Sequence, residues 1–246
     1  MKKMVTALFN WLGISVKRKQ YKWEQLNSTR VEHYALNGLI HSGIMVNGSI
    51  TIVQIGAFDG VSNNAVDYSR LGRQYQVNAV LVEPNPVAFE KLKSNFKDIN
   101  FVRLINAAVD ITDGNRSFTV VAPHSSPEFH WIDQLSSFDR QTILSHCDTV
   151  PDLSSYMQDV TVECITLSSL LRSQSIERLD LLLVDTEGYD AIIIENALND
   201  KVYPRIIVFE HTHLGNSAIQ RIHNQLIFNG YSIVDIGQDF LCWIER

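Results

Sequence analysis

Cysteine is scarce in this chain: Cys147, Cys164 and Cys242 lie far apart among 246 residues. Their spacing excludes a disulfide-stapled fold and any cysteine-based metal motif, and free thiols point to a reducing compartment, the cytoplasm. No apolar run reaches the roughly 20 residues needed to cross a bilayer. Neither an internal repeat nor a low-complexity tract is present. Positive charge is also in deficit, with a net charge of −6. Lys2, Lys3, Lys17, Arg18, Lys19 and Lys22 all precede the first acid, Glu24, so the remainder carries 15 basic against 27 acidic residues, or −12. Such a balance argues against a nucleic-acid partner.

What is there divides at about residue 45. Residues 1–44 form a basic arm and a short helix (Tyr34 to Ser42), and 45–246 a single domain with 45% apolar composition overall. Along Met1 to Lys19, Val5, Leu8, Phe9, Leu12, Ile14 and Val16 make an apolar face, but Lys17-Arg18-Lys19 stands where a signal peptide would need small residues. Two readings stay open for residues 1–19: peripheral contact with the anionic inner face of a membrane, or packing on the domain.

The rest of the chain is organised around Thr51 to Gly60. A β-branched apolar run, Ile50 to Ile55, reads as a buried strand. It ends at Gly56-Ala57-Phe58-Asp59-Gly60, where glycines allow a sharp turn and close approach to a ligand. A helix is expected from Ser62 to Arg70, offering its free N–H groups nearby. Strands and helices then alternate: strand Ala79 to Val82, helix Val87 to Lys97, strand Phe101 to Ile105, strand Ser117 to Val121. From Ala122 to Asp159 the periodicity dissolves, apart from a helix around Asp139 to Ser145; a loop-rich stretch of that length is more often functional than decorative. Regular structure resumes with strand Val160 to Ile165, helix Leu167 to Arg172, strand Leu179 to Val184, helix Asp190 to Leu198, strand Arg205 to Phe209 and helix Ala218 to Phe228. The alternation predicts an α/β, Rossmann-like fold with a mostly parallel sheet. Tyr231 to Ile236 and Phe240 to Ile244 are joined by only three residues, which predicts a C-terminal antiparallel hairpin. That ending points away from a dehydrogenase and towards the seven-stranded fold of S-adenosylmethionine-dependent methyltransferases.

Chemistry-bearing residues gather at strand ends. Glu83 closes the second strand 27 positions after Gly56, where an acid in a doubly wound sheet faces a ribose; Pro84 follows it. Gly56 to Gly60 lacks the G-x-G-x-x-G spacing of a pyrophosphate turn. Asn106 and Ala107 follow the third strand, where an adenine edge can meet an amide and backbone groups. Asp185-Thr186-Glu187-Gly188-Tyr189-Asp190 follows the most apolar strand. Acids beside a core need a cationic or hydrogen-bonding partner, although Asp190 is also a candidate helix cap. Glu210-His211-Thr212-His213 ends the next strand. His211 is the first candidate for a general base and Glu187 the second. Asp185, Glu210 and His211 are alternatively an oxygen-rich set that suits magnesium. His124, His130 and His146 lie in the irregular stretch without a clear role.

The turn Gly56 to Gly60, the strand end Val82-Glu83-Pro84-Asn85, Ile165 to Leu170 and above all Leu179 to Asp190 resemble the FkbM-type methyltransferases, over roughly residues 45 to 245. The resemblance implies S-adenosylmethionine as cofactor and a hydroxyl acceptor on a sugar or polyketide. It implies Gly56, Ala57, Phe58, Asp59 and Gly60 around the methionine moiety, Glu83 on the ribose, and Asp185, Thr186 and Glu187 between donor and acceptor. Residues 122–159 would then be an acceptor-side insertion. One departure is Gln54, where many relatives carry an acid. The expected function is O-methylation of a small-molecule or glycan hydroxyl. Two alternatives remain, a nitrogen or carboxylate acceptor and a non-catalytic scaffold that keeps the fold.

Overall fold

The computed structural model describes residues 48–62 and 66–244. The expectations for the arm and for the helix at Tyr34 to Ser42 lie outside the described residues. In chain order the elements begin with β1 (Ser49–Ile55), α1 (Tyr68–Gln74), β2 (Gln76–Val82), α2 (Pro86–Phe96), β3 (Val102–Ile105), β4 (Ala108–Val109) and β5 (Gly114–Val121). A 3-10 helix (Pro127–Gln134), β6 (Ser136–Ser137), α3 (Arg140–Leu144), α4 (Leu153–Tyr156), β7 (Met157–Ile165) and α5 (Leu167–Ser173) follow. The chain continues through β8 (Leu181–Val184), α6 (Asp190–Asn199), β9 (Ile206–Glu210), α7 (Asn216–Phe228), β10 (Ser232–Asp235) and β11 (Asp239–Trp243).

Seven strands make one sheet in the order β10-β11-β9-β8-β1-β2-β3. All neighbours are parallel except β11, which runs antiparallel to both β9 and β10. This is the expected α/β sheet with its C-terminal hairpin, the last strand being inserted between β9 and β10. Strand order reverses at β1 and β8, so the loops leaving their carboxyl ends diverge and open a crevice between them.

The apolar runs are continuous because both faces of the sheet are covered. Val53, Ile55, Leu182 and Val184 face α5, α6 and α7, while Ile50, Ile52, Leu181 and Leu183 face α1 and α2. Each fully buried aliphatic side chain there contributes about 1.5–3 kcal/mol of transfer free energy. The helices begin where side chains satisfy their first N–H groups. Asn85 accepts from Val87 N and Ala88 N at the start of α2, with Pro86 in the first turn.

Two expectations need correction. The helix after β1 starts at Tyr68, not Ser62, because Asp67 caps it by accepting from Arg70 N. Asp59, in contrast, accepts from Val61 N, Ser62 N and Ser62 Oγ, holding a separate turn. The irregular stretch is more structured than its pattern suggested. β5 and β7 pair antiparallel from Gly114 and Cys164 to Val121 and Met157, and with β4 and β6 they form a second sheet. Between them, Ile132, Leu135, Ile143, Val150 and Leu153 pack on Val121 and Met157 as a core of their own.

Candidate active site

The crevice at the strand reversal holds about 790 Å³ of space between atoms, the open solvent at its mouth included. Its floor is made by the carboxyl ends of β1, β2 and β8: Gln54, Gly56, Ala57 and Phe58, then Glu83 and Pro84, then Asp185, Thr186 and Glu187. The second sheet and the 3-10 helix supply the facing wall through Phe118, Gln134, Ser136 and Phe138, with Tyr189 beside them.

The floor is assembled by backbone contacts that only certain residues permit. Gly56 has φ +78° and donates its N–H to the Val82 carbonyl at 3.0 Å, a conformation natural to glycine. Phe58 N donates to Glu83 Oε2 at 2.8 Å and Asn85 N to Glu83 Oε1 at 2.7 Å, so the carboxylate braces both turns. Each oxygen keeps a second lone pair for a ligand. Burial nonetheless pushes the Glu83 carboxyl up to about 7, against those two hydrogen bonds. Gln54 Oε1 accepts from the Tyr68 hydroxyl at 2.8 Å, which fixes the Gln54 side chain at the floor.

Carboxylates crowd the β8 end. Asp185 reaches solvent through the crevice but is densely surrounded by protein. Desolvation raises it well above the ordinary range, and Glu210, Asp190 and Glu187 push in the same direction. Asp190 is buried in the first turn of α6 and is raised to about 7 by burial, although the Thr186 hydroxyl donates to its Oδ2 at 3.0 Å. Glu210 and Asp239 are also raised, chiefly by burial. No lysine or arginine lines the crevice among the described residues. Carboxyl groups raised by burial, with no lysine or arginine among the lining residues, ionise more readily beside a cationic ligand.

Glu187 sits at φ +51°, with its carbonyl held by the Ser137 hydroxyl at 2.9 Å. Its Oε2 lies 3.2 Å from His213 Nε2. That hydrogen bond, with the neighbouring Glu187 charge, raises His213 above the ordinary imidazole range against the effect of burial. The aromatic wall has its own anchor. Tyr189 donates to Asp110 Oδ1 at 2.6 Å, Arg116 donates to Asp110 Oδ2 at 2.6 Å, and the Arg116 guanidinium stacks on Phe138 at 4.1 Å. Phe138 lies 5.0 Å from both Phe118 and Tyr189, ring to ring.

Gly56, Ala57, Phe58, Glu83, Pro84, Asp185, Thr186 and Glu187 thus converge on the crevice. Five expected residues do not line it. The Asp59 carboxylate holds its own turn, and burial there is outweighed by hydrogen bonds from Ser62 and Val61 that lower its pKa. Gly60 is a packing glycine: a Cβ there would stand 2.3 Å from the Phe96 ring. Asn106 donates to the carbonyls of Glu83 and Pro84, shaping the loop from behind, and Ala107 is buried. His211 is turned to the α7 side of the sheet, stacked at 4.1 Å on Phe240 and neighbouring His223 through that ring. His211 is thereby held apart from the crevice lining, and the structure does not bring it together with Asp185. The wall residues Phe118, Phe138 and Tyr189 went unassigned in the sequence, although Tyr189 lies inside its most informative block.

Comparison with known proteins adds a family. The model of the methyltransferase FkbM domain matches residues 54–233. No curated protein matches the chain. Solved structures that the chain matches include human methyltransferase 10 domain containing protein, 10% identical, covering 97% of this chain and 93% of that one with a TM-score of 0.43. Fibrillarin of Aeropyrum pernix, solved with S-adenosyl-L-methionine, is 13% identical over 90% of this chain and 75% of its own, with a TM-score of 0.40. The fibrillarin pre-rRNA processing protein of Methanococcus jannaschii is 12% identical over 81% and 68%, with a TM-score of 0.40.

Proposed function

Because the chain belongs to the FkbM methyltransferase family, we propose that its crevice binds S-adenosylmethionine and directs the methyl group to a hydroxyl oxygen, that of a sugar. The observation that carries the reading is the floor of raised carboxyl groups, Glu83 and Asp185, with no lysine or arginine among the crevice's described lining residues. The donor brings a sulfonium and an ammonium, and raised carboxylates close to it gain by ionising against those charges. Glu83, braced by Phe58 N and Asn85 N, offers its remaining lone pairs to the ribose hydroxyls. Gly56 leaves the backbone bare beside them.

When bound, S-adenosylmethionine supplies an electrophilic methyl carbon. The residues of the chain have then to align the acceptor oxygen behind that carbon and take one proton from it. Glu187 lines the crevice with its carboxylate paired to His213. The pair is placed to accept the hydroxyl proton while the new oxygen–carbon bond forms and the sulfur retains the electrons of the bond that breaks. Phe118, Phe138 and Tyr189 present a rigid aromatic wall opposite, and such faces stack on the C–H surface of a sugar ring.

The test is in two stages. Calorimetric titration with S-adenosylmethionine, S-adenosylhomocysteine and NAD is expected to show binding of the two sulfur nucleosides and none of NAD. Transfer of labelled methyl to sugar, amine and carboxylate acceptors then decides the nucleophile. Label appearing only on amines would overturn the hydroxyl reading, and absence of sulfur-nucleoside binding would overturn the catalytic one.

A further inference from the structure

His146, Glu187 and His213 come from three separate parts of the chain. His146 follows α3 in the insertion, Glu187 follows β8, and His213 follows β9. One donor atom from each lies within 4.8 Å of the other two. The closest edge, Glu187 Oε2 to His213 Nε2, is 3.2 Å. The rings of His146 and His213 meet edge to face at 5.6 Å. His146 Nε2 is buried and has no hydrogen-bond partner among the described residues, and such an atom is costly to leave unsatisfied.

The backbone is shaped to bring these groups together. Gly188 has φ +93°, and a Cβ there would stand 3.3 Å from Thr142 Oγ1 and 3.4 Å from His213 Cβ. The Ser137 hydroxyl fixes the neighbouring Glu187 carbonyl. α3 and the segment after β9 therefore both close against the Glu187-Gly188 turn.

We infer that His146, Glu187 and His213 form a binding site for one divalent transition-metal ion, bordering the crevice at Glu187. Two imidazoles and one carboxylate suit zinc, cobalt, manganese or iron, whereas magnesium and calcium prefer oxygen ligands throughout. Bonds of about 2.0–2.2 Å place the donor atoms of a tetrahedral site roughly 3.4 Å apart. The Glu187–His213 edge already meets that spacing, and the donor atom of His146 lies within 4.8 Å of both. Three protein ligands leave a position open for an exchangeable oxygen. Its role rests on the function proposed above: the open position takes the acceptor hydroxyl and lowers its pKa. With the ion present, Glu187 and His213 act as ligands and the hydroxyl proton passes to water.

The experiment uses full-length protein dialysed against a chelator and titrated with Co²⁺, followed by visible absorption, and with Zn²⁺ and Mg²⁺ by calorimetry. One equivalent of Co²⁺ is expected to give a saturable d–d band that Zn²⁺ displaces and Mg²⁺ does not. His146→Gln and His213→Gln are each expected to weaken Zn²⁺ binding by about tenfold or more, with folding checked by melting temperature. Pulsed electron paramagnetic resonance of the Cu²⁺-loaded wild-type protein should count two coordinated imidazoles, a readout that does not depend on the variants. Absence of a saturable band, or fewer than two imidazoles, would overturn the site. Glu83→Ala is expected to lose S-adenosylmethionine and keep Zn²⁺. Wild-type protein that binds Zn²⁺ but no sulfur nucleoside would leave the metal site standing and remove its catalytic role.

Discussion

Gly56 and Asp185 pass so close that a Cβ on Gly56 would stand 1.7 Å from the Asp185 carbonyl oxygen. Asp185 N donates in turn to the Ile55 carbonyl at 3.0 Å, so the ends of β1 and β8 are locked at the point where strand order reverses. The glycine is required twice over, by this contact and by φ +78°. Gly56→Ala is expected to cost more than about 3 kcal/mol, since neither backbone can move without breaking the sheet. Chemical denaturation measures this, and a variant as stable as wild type would contradict it.

Glu83 ties donor binding to pH. Its pKa is raised to about 7 in the fold, above the ordinary value of 4.5. Between those values the unfolded chain releases a proton that the folded one retains, so this group's contribution to stability falls as pH rises from about 4.5 to 7 and is constant above. A ligand that needs the ionised carboxylate shows the opposite trend. Affinity for S-adenosylmethionine is expected to be full above about pH 8 and to weaken below 7, by at most about tenfold per unit. Calorimetry from pH 5.5 to 9 checks this, and a flat profile would detach Glu83 from the ligand.

Removing the Tyr189 hydroxyl isolates the anchor of the aromatic wall. Burial disfavours the Asp110 charge, but hydrogen bonds from Tyr189, Arg116 and Ile111 N outweigh it and lower the pKa. A depressed carboxylate stabilises the fold above its unfolded pKa of about 3.8, and that contribution is lost as pH falls through the lower folded value. Tyr189→Phe is expected to cost about 1–3 kcal/mol at pH 7. The deficit should hold steady from pH 5 to 9 and shrink only in stronger acid, as melting curves across that range will show.

The two histidines after β9 should behave differently. His213→Ala and Glu187→Gln are each expected to lower turnover by about 10²–10⁴-fold, the usual contribution of a positioned proton acceptor, while donor affinity changes little. His211→Ala loses its stack on Phe240 and should cost about 1 kcal/mol of stability, with turnover within about twofold of wild type. Kinetics of the three variants would return the base to His211 if it proved the most damaging.

The main sheet was legible because its strands are continuous apolar runs bounded by glycine, proline or acids, as at Ile50 to Gly56 and Leu181 to Asp185. The second sheet was not, since β5 and β7 are half-exposed and their pairing joins residues about 40 positions apart, such as Ser117 and Thr161. Local pattern cannot set such a register. In the crevice, position at a strand end was enough to bring Glu83, Asp185 and Glu187 together on the lining. It could not tell His211 from His213, where the direction of each side chain after β9 depends on how Asp239 and Gln238 pair with Glu210 and His211. His146 carried no local signal, because only the folding of the insertion brings it to the other two.

Val121 and Met157 are rung partners in the second sheet, and Ala122 N still bonds to the Tyr156 carbonyl. The two ends of the segment between them therefore meet at one rung, and the segment has a core of its own besides the β6 strand that it pairs with β5. That arrangement makes residues 122–156 a cassette whose exchange has to match the closing rung and the pairing of Ser136 and Ser137 with Val120 and Thr119, and to return a hydroxyl to the Glu187 carbonyl. Chimeras built at this junction should retain the donor half of the site while changing what is methylated.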